Sequence, residues 1–424
     1  MSSSVLVTRK TCRLCGNDSL LPAVSLGHQF IGGAFAKPDC SPPSQRTVPL
    51  DLVRCSPELN ENACGLVQLR HSVPPNVLYA SYWYRSGINE TMRVHLSDIA
   101  HDAEWFVNLK AGDLVVDIGC NDGTLLNSYR TKRIKKLGID PANVVCHAIK
   151  SGLKVVNDFF SHGAFSSVYP KQKAKIITSI AMFYDLENPC DFVLDIEKCL
   201  ADDGIWVVEL SYLPSMLKMN SFDTICHEHL GYYGFAQMEY ALSVWGMEAI
   251  DVTLNGSNGG SFRIVAAHAG KIKPPAEATE RMRALRLSEF DGEYDNAKPY
   301  FDFSHNISVI RKDIMDFLVT AKSRRKVVHG YGASTKGNTT LQFCGITPEL
   351  LPYIADRNPD KFGTSTVGTN IPIISEEESR AMRPDYYLAL PWHFIDGFKK
   401  REHEFLAHGG QFIVPMPHVH LIGK

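Results

Sequence analysis

The stretch that most restricts the fold is "DLVVDIGCNDGTLLNSY", residues 113–129. Its apolar run from Leu114 to Ile118, closed by the acid Asp117, predicts a strand buried on both faces. Gly119-Cys120-Asn121-Asp122-Gly123 predicts a tight turn, and a helical pattern starts at Thr124. Glycines there let the backbone approach a ligand at the carboxyl end of a parallel strand. The spacing D-x-G-x-x-x-G is not the dinucleotide G-x-G-x-x-G, and no P-loop lysine follows. Further on, "KKLGIDPANV" ends a second strand on Asp140, an acid suited to two ribose hydroxyls. "VVNDFF" offers Asp158 and Phe159 for an adenine amine and an adenine face. "AKIITSIAMFYDL", which contains Ile180, and "GIWVVELSYL" read as later strands. Strands alternating with helices predict an α/β, doubly wound parallel sheet.

At 424 residues the chain is too long for one ordinary core, so two or three domains are expected. A net charge of −2 argues against a general nucleic-acid or membrane-surface binder, yet leaves room for a local basic pocket. No window approaches the roughly 18 apolar residues of a membrane span, and the start lacks a signal-peptide pattern. Eleven cysteines, several in core-like segments such as Cys146 and Cys199, fit a reducing cytoplasm better than a disulfide framework.

"CRLCG" sets Cys12 and Cys15 in a C-x2-C knuckle, and "LVRCSPELNENACGLVQL" adds Cys55 and Cys64. Two thiolates from a tight turn and two from a later hairpin can complete a tetrahedral S4 zinc site, closed and therefore structural. The Pro- and Gly-rich stretch between them is too poor in periodic apolar residues to fold without such a staple. Four unrelated buried cysteines are the alternative, and the wider Cys-x8-Cys spacing is the weaker half of the pattern. Cys40, in "KPDCSPP", reads as a loop residue.

Three more blocks carry chemistry: "YWYRSGINETM" (82–92), "FDTICHEHLGYY" (222–233) and "VVHGYGASTKGNTTLQFCGI" (327–346). The second packs a cysteine, two histidines, a glutamate and two tyrosines into one run. Were it helical, Cys226 and His229, or His229 and Tyr233, would share a face. The third begins another βα unit whose glycine turn can cradle phosphate at a helix N-terminus, with Lys336 adding charge. "NGSNGGSFRI" (255–264) is a further Gly-rich strand entry.

An acid ending strand one, a glycine turn and an acid ending strand two resemble the class I S-adenosylmethionine (SAM) methyltransferases. With the three blocks in this order, nearly the whole chain resembles the sugar C-methyltransferases of antibiotic deoxysugar pathways. That family methylates carbon 3 of a nucleotide-linked 4-keto sugar. The resemblance implies a zinc-binding domain over residues 1–75, a SAM-dependent core over 76–268 and a Rossmann-like substrate domain over 269–424. It implies cofactor contacts at Asp117, Gly119, Asn121, Asp122, Gly123, Asp140, Asp158, Phe159 and Ile180. His229 would be the base, with Glu228 and Tyr84 flanking the reacting ring. Arg85, Ser86, Tyr233, Asn258, Tyr331, Ser334 and Lys336 would bind substrate, a small molecule rather than nucleic acid or membrane. Histidine suits the task, because a proton α to a ketone must leave before carbon can attack a sulfonium methyl.

Two positions depart from the family pattern: Cys226 stands where a tyrosine is usual, and Asp185 where many members carry histidine. They leave room for C- or O-methylation of another natural-product acceptor. A nucleotide-sugar or nucleic-acid binding module that has lost catalysis is the reading from a different class, and the near-neutral charge counts against nucleic acid.

Overall fold

The computed structural model describes residues 6–33, 35–36, 47–75, 78 and 84–423. Cys40 and the first two residues of the 82–92 block lie outside the described residues. The N-terminal lobe holds β1 (Val7–Thr8), β2 (Leu20–Phe30), β3 (Phe35–Ala36), β4 (Thr47–Cys55), β5 (Val67–Leu69) and β6 (His71–Ser72). β2, β4 and β5 form an antiparallel sheet, and β1 pairs with β6. Helix Glu90–Val107 follows; the Asn89 side chain accepts a hydrogen bond from the Thr91 N–H at its start, and left-handed Asn108 stops it.

Next come the parallel strands β7 (Leu114–Ile118), β8 (Lys135–Ile139), β9 (Lys154–Val156), β10 (Ala174–Ile180) and β11 (Leu200–Ser211). The predicted strand β7 is buried at every residue, as a central parallel strand must be. β12 (Gly231–Tyr232) returns to the N-terminal sheet and pairs with β5. β13 (Met247–Asn255) and β14 (Ser261–His268) complete the central sheet, with β14 antiparallel to β11. Its strand order is β13-β14-β11-β10-β7-β8-β9.

The 26-residue helix Lys298–Ser323 buries Phe303, Ile307, Ile310, Ile314 and Leu318, an apolar stripe at three- and four-residue spacing. The C-terminal lobe then adds β15 (Val328–Tyr331), β16 (Ile354–Asp356), β17 (Ser365–Thr366), β18 (Ile373–Ser375), β19 (Tyr386–Ala389), β20 (Gln411–Val414) and β21 (His420–Ile422). β17 pairs with β3, fastening this lobe to the N-terminal one. The others run in the order β18-β16-β15-β19-β20-β21, with only β21 antiparallel. In chain order this is 3-2-1-4-5-6, the Rossmann arrangement.

One expectation fails here, and one condition is not met. Cys146 is exposed, although Cys199 is fully buried. The 222–233 run is not helical: a single 3-10 turn at Phe222–Thr224 gives way to extended and irregular backbone before β12. His229 and Tyr233 therefore share no helix face, and the tyrosine, bridged to Tyr212 just beyond β12, is buried in the core.

Candidate functional site

In a parallel sheet, ligands bind where the strand order reverses, beyond the carboxyl ends of the strands. The central sheet reverses between β7 and β10, and the C-terminal sheet between β15 and β19. Both reversals open onto one cavity of about 490 Å³. Gly119 and Asn121 line it after β7, and Ala181 and Met182 after β10. Ser334, Thr335 and Lys336 line it after β15, and Pro391 and His393 after β19. Cys226, Glu228 and His229 complete the wall.

The turn after β7 is held by its own polar groups. Asp140, at the end of β8, accepts the Asn121 N–H at 2.9 Å and the Ala142 N–H at 2.8 Å. Each carboxylate oxygen keeps a second lone pair, so a ribose hydroxyl can still be received. Burial raises the Asp140 pKa, and it pushes the neighbouring Asp117 up to about 7. Thr178 donates to Asp117 at 2.6 Å. Gly119 has φ +73 and lines the cavity. Gly123 serves packing instead: a Cβ there would meet Leu153 at 2.4 Å.

The strip 222–233 is pinned from three sides. β12 pairs with β5, the Leu230 N–H donates to the Tyr184 carbonyl at 2.8 Å, and the Leu213 N–H donates to the Tyr233 carbonyl at 2.9 Å. His229 Nδ1 lies 2.7 Å from the Thr224 carbonyl oxygen. A carbonyl only accepts, so Nδ1 carries the hydrogen and Nε2 keeps its lone pair. The ring packs on Tyr184, centroids 4.2 Å apart. Burial, reinforced by the nearby Lys336 charge, lowers the His229 pKa to about 3. The imidazole is thus neutral, with an open proton acceptor, at any physiological pH.

His227 turns the other way, with Nε2 3.1 Å from the Val48 carbonyl oxygen in β4. Burial lowers its pKa to about 4. A depressed histidine favours proton uptake by the unfolded chain, so His227 costs no stability above pH 6.5 and removes some as pH falls from there toward 4. His227→Gln, which can still donate to Val48, is expected to flatten unfolding free energy across that window by at most about 3 kcal/mol. Denaturant titrations at a series of pH values check this.

At the N-terminal knuckle, the sulfurs of Cys12, Cys15, Cys55 and Cys64 all lie within 4.8 Å of one another. Cys12 and Cys64 are 3.5 Å apart, as are Cys15 and Cys55. Four thiolates around tetrahedral zinc would stand about 3.8 Å apart, so the donor set fits the ion. The Leu14 N–H points at Cys12 Sγ from 3.4 Å, and left-handed Gly16 completes the knuckle.

Family models match in the same order. One described as "Putative zinc binding domain" spans residues 12–79, "Methyltransferase domain" spans 89–249, and "C-methyltransferase C-terminal domain" spans 256–417. The C-methyltransferase NovU of Streptomyces niveus is 30% identical over 413 residues, 97% of this chain and 96% of its own. The chain belongs to this C-methyltransferase family. Two solved structures match part of the chain: a SAM-dependent methyltransferase of Clostridium acetobutylicum and the magnesium protoporphyrin IX methyltransferase of Synechocystis. They share 11% and 12% identity, cover 42% of this chain and 92% and 79% of their own, and superpose with TM-scores of 0.33 and 0.32.

The C-methyltransferase therefore has a class I SAM methyltransferase core, uses SAM and carries a zinc-binding lobe. Of the residues singled out from sequence, Asp117, Gly119, Asn121, Asp140, Phe159 and Ile180 all line the cavity. So do Tyr84, Ser86, Glu228, His229, Asn258, Ser334 and Lys336. Others stand elsewhere. Asp122 spends its carboxylate on the Gly87 N–H at 2.8 Å and the Thr124 hydroxyl at 2.6 Å, tying segment 84–87 to the turn. Asp158 is exposed, accepts its neighbour Phe159's N–H, and does not line the cavity. Arg85 is also outside the cavity wall.

Tyr233 and Tyr331 are corrections. Tyr233 is fully buried against Phe183 in the central core. Tyr331, the last residue of a strand covered on both faces, donates to Glu402 at 2.7 Å inside the C-terminal core. Neither reaches the cavity. Sequence reasoning missed Tyr184, Met182 and His393, which do. The sequence signal for His393 was "PWHF", directly after a strand at the second reversal point.

Proposed function

We propose that this enzyme methylates carbon 3 of a nucleotide-linked 4-keto deoxysugar, with His229 removing the proton α to the ketone. The observation that carries this reading is the free Nε2 of a neutral, half-buried imidazole on a cavity shared by two strand-order reversals. The central reversal suits SAM, and the C-terminal one suits a nucleotide. Bound SAM supplies the activated methyl group. Asp140 would receive the ribose hydroxyls, Gly119 and Asn121 would meet the amino-acid portion, and Phe159 with Ile180 would flank the adenine. Glu228 is only 7% exposed, and its Oε2 has no partner; it orients the sugar through a hydroxyl. Methyl transfer then asks mainly for alignment of carbon, methyl and sulfur.

The test is α-proton exchange in deuterium oxide, with S-adenosylhomocysteine present, against a panel of nucleotide 4-keto sugars. Exchange at carbon 3 without methyl transfer is the expected result, and no exchange with any member sinks the assignment. Asp140→Asn is expected to weaken S-adenosylhomocysteine at least about tenfold by calorimetry, since hydrogen bonds to a charged carboxylate are each worth roughly 1.5–3 kcal/mol.

A second reading, a different acceptor, is favoured by Cys226 and Asp185, which both line the cavity beside Glu228. The double change Cys226→Tyr with Asp185→His is expected to move the preferred acceptor while leaving S-adenosylhomocysteine affinity unchanged. Acceptor profiling of the two proteins checks it; an unchanged profile would remove these positions from specificity.

A further inference from the structure

Lys336 stands second in helix Thr335–Cys344, whose N-terminus is capped by Ser334 accepting the Gly337 N–H at 3.0 Å. A cation is disfavoured at that end of a helix dipole and disfavoured again by burial. Those costs ask for a reason. The ammonium donates to the Asn258 carbonyl at 2.6 Å, and two of its three N–H groups remain for other acceptors. Its charge is felt by His229 and by His393 after β19, and it feels Asp223 and Cys226 of the strip; Cys226, His229 and His393 line the same cavity as Lys336. Asp223 is completely buried; its Oδ2 accepts the Trp392 indole N–H at 3.1 Å, and its Oδ1 has no partner. The ammonium thus shares the cavity wall with Cys226, Glu228 and His229 of the strip.

A histidine kept neutral by burial and by a neighbouring cation is a weak base. It can strip an α-proton only if the oxygen that receives the electron pair is strongly stabilised. Resting on the proposed function, we infer that the Lys336 ammonium is the catalytic cation that meets this oxygen. In the step, the α C–H bond breaks and its proton goes to His229 Nε2. The C–H pair becomes the enolate double bond, and the carbonyl π pair moves to the oxygen facing Lys336. When that carbon bonds to the methyl group, the S–CH3 pair returns to sulfur, the carbonyl re-forms, and His229 releases its proton to solvent. The buried Asp223 carboxylate favours the charged form of the ammonium through space, without an ion pair to it.

A structural tether between the helix and the Asn258 loop would be the alternative role for Lys336. Lys336→Met and Lys336→Arg separate the two. Lys336→Met is expected to lower α-deuterium exchange about 10²–10³-fold with S-adenosylhomocysteine affinity preserved. In the same variant, the His229 imidazole resonance, identified by its loss in His229→Gln, is expected to titrate at higher pH than in the wild type. Lys336→Arg is expected to keep the His229 titration low and restore part of the exchange. Wild-type exchange in Lys336→Met, or a His229 titration that does not move, overturns the inference. A wild-type enzyme that exchanges no keto sugar in the panel instead sinks the proposed substrate, while the His229 titration still decides the place of Lys336.

Discussion

His229→Ala is expected to cut methyl transfer about 10²–10⁴-fold, the usual contribution of a positioned general base, and to leave S-adenosylhomocysteine bound nearly as tightly as before. The separation follows from where the groups sit. The residues proposed to meet the cofactor hang from the ends of β7 and β8, braced by Asp140 on the Asn121 and Ala142 N–H groups. His229 hangs from the strip 222–233, braced by the Thr224 carbonyl. Deleting the imidazole leaves that carbonyl without its donor, at a cost of about 1–3 kcal/mol, so thermal unfolding must accompany the kinetics. Full activity in the variant would reject His229 as base, and lost cofactor binding would show that the strip and the cofactor turn are not independent. Because burial holds the His229 pKa down at about 3, the wild-type rate should show no acid limb near pH 6.5 from this group. Protonation would silence it only as pH falls toward 3.

Removing zinc, or replacing Cys55 by serine, is expected to have the other large effect. Structural zinc supplies roughly 10–16 kcal/mol of folding free energy in small modules, and the larger apolar clusters of the N-terminal lobe are shared with the central and C-terminal lobes. Cys55 ends β4, which pairs with β5, and β5 in turn carries β12. The Leu69 N–H also donates to the Leu230 carbonyl at 2.9 Å, one residue beyond His229. Gln237, in the central lobe, donates to the Cys64 carbonyl at 2.9 Å. Loss of the metal should thus unfasten the strip that carries His229, although zinc touches no reacting atom. Chelation should abolish turnover in step with zinc release and with an early unfolding transition, whereas exchange of zinc for cadmium in the closed sulfur site should leave turnover intact. A chelated, zinc-free protein that retained full activity would show that the strip stands without the N-terminal sheet.

Much of this was legible locally. The strand, glycine turn and helix at 114–128 are encoded within one window, because burial on both faces demands an unbroken apolar run and the turn demands glycine. The cysteine knuckle is legible for a similar reason: two thiolates three positions apart can reach one ion only from a tight turn. The second βα unit and its turn at 330–337 followed from the same pattern.

Sequence by itself determined the parallel sheets, the sulfur site and the loops that end at the cavity, since each is set by residues close along the chain. Tertiary structure alone decided that His229 faces the cavity while His227 anchors to β4, that Tyr233 and Tyr331 sink into cores, and that Lys336 and His393 join the same wall. The physical reason is that an irregular segment has no period from which to read a face. Its side chains take their directions from distant partners, here β5, Tyr184 and the C-terminal reversal, which adjacent residues do not specify.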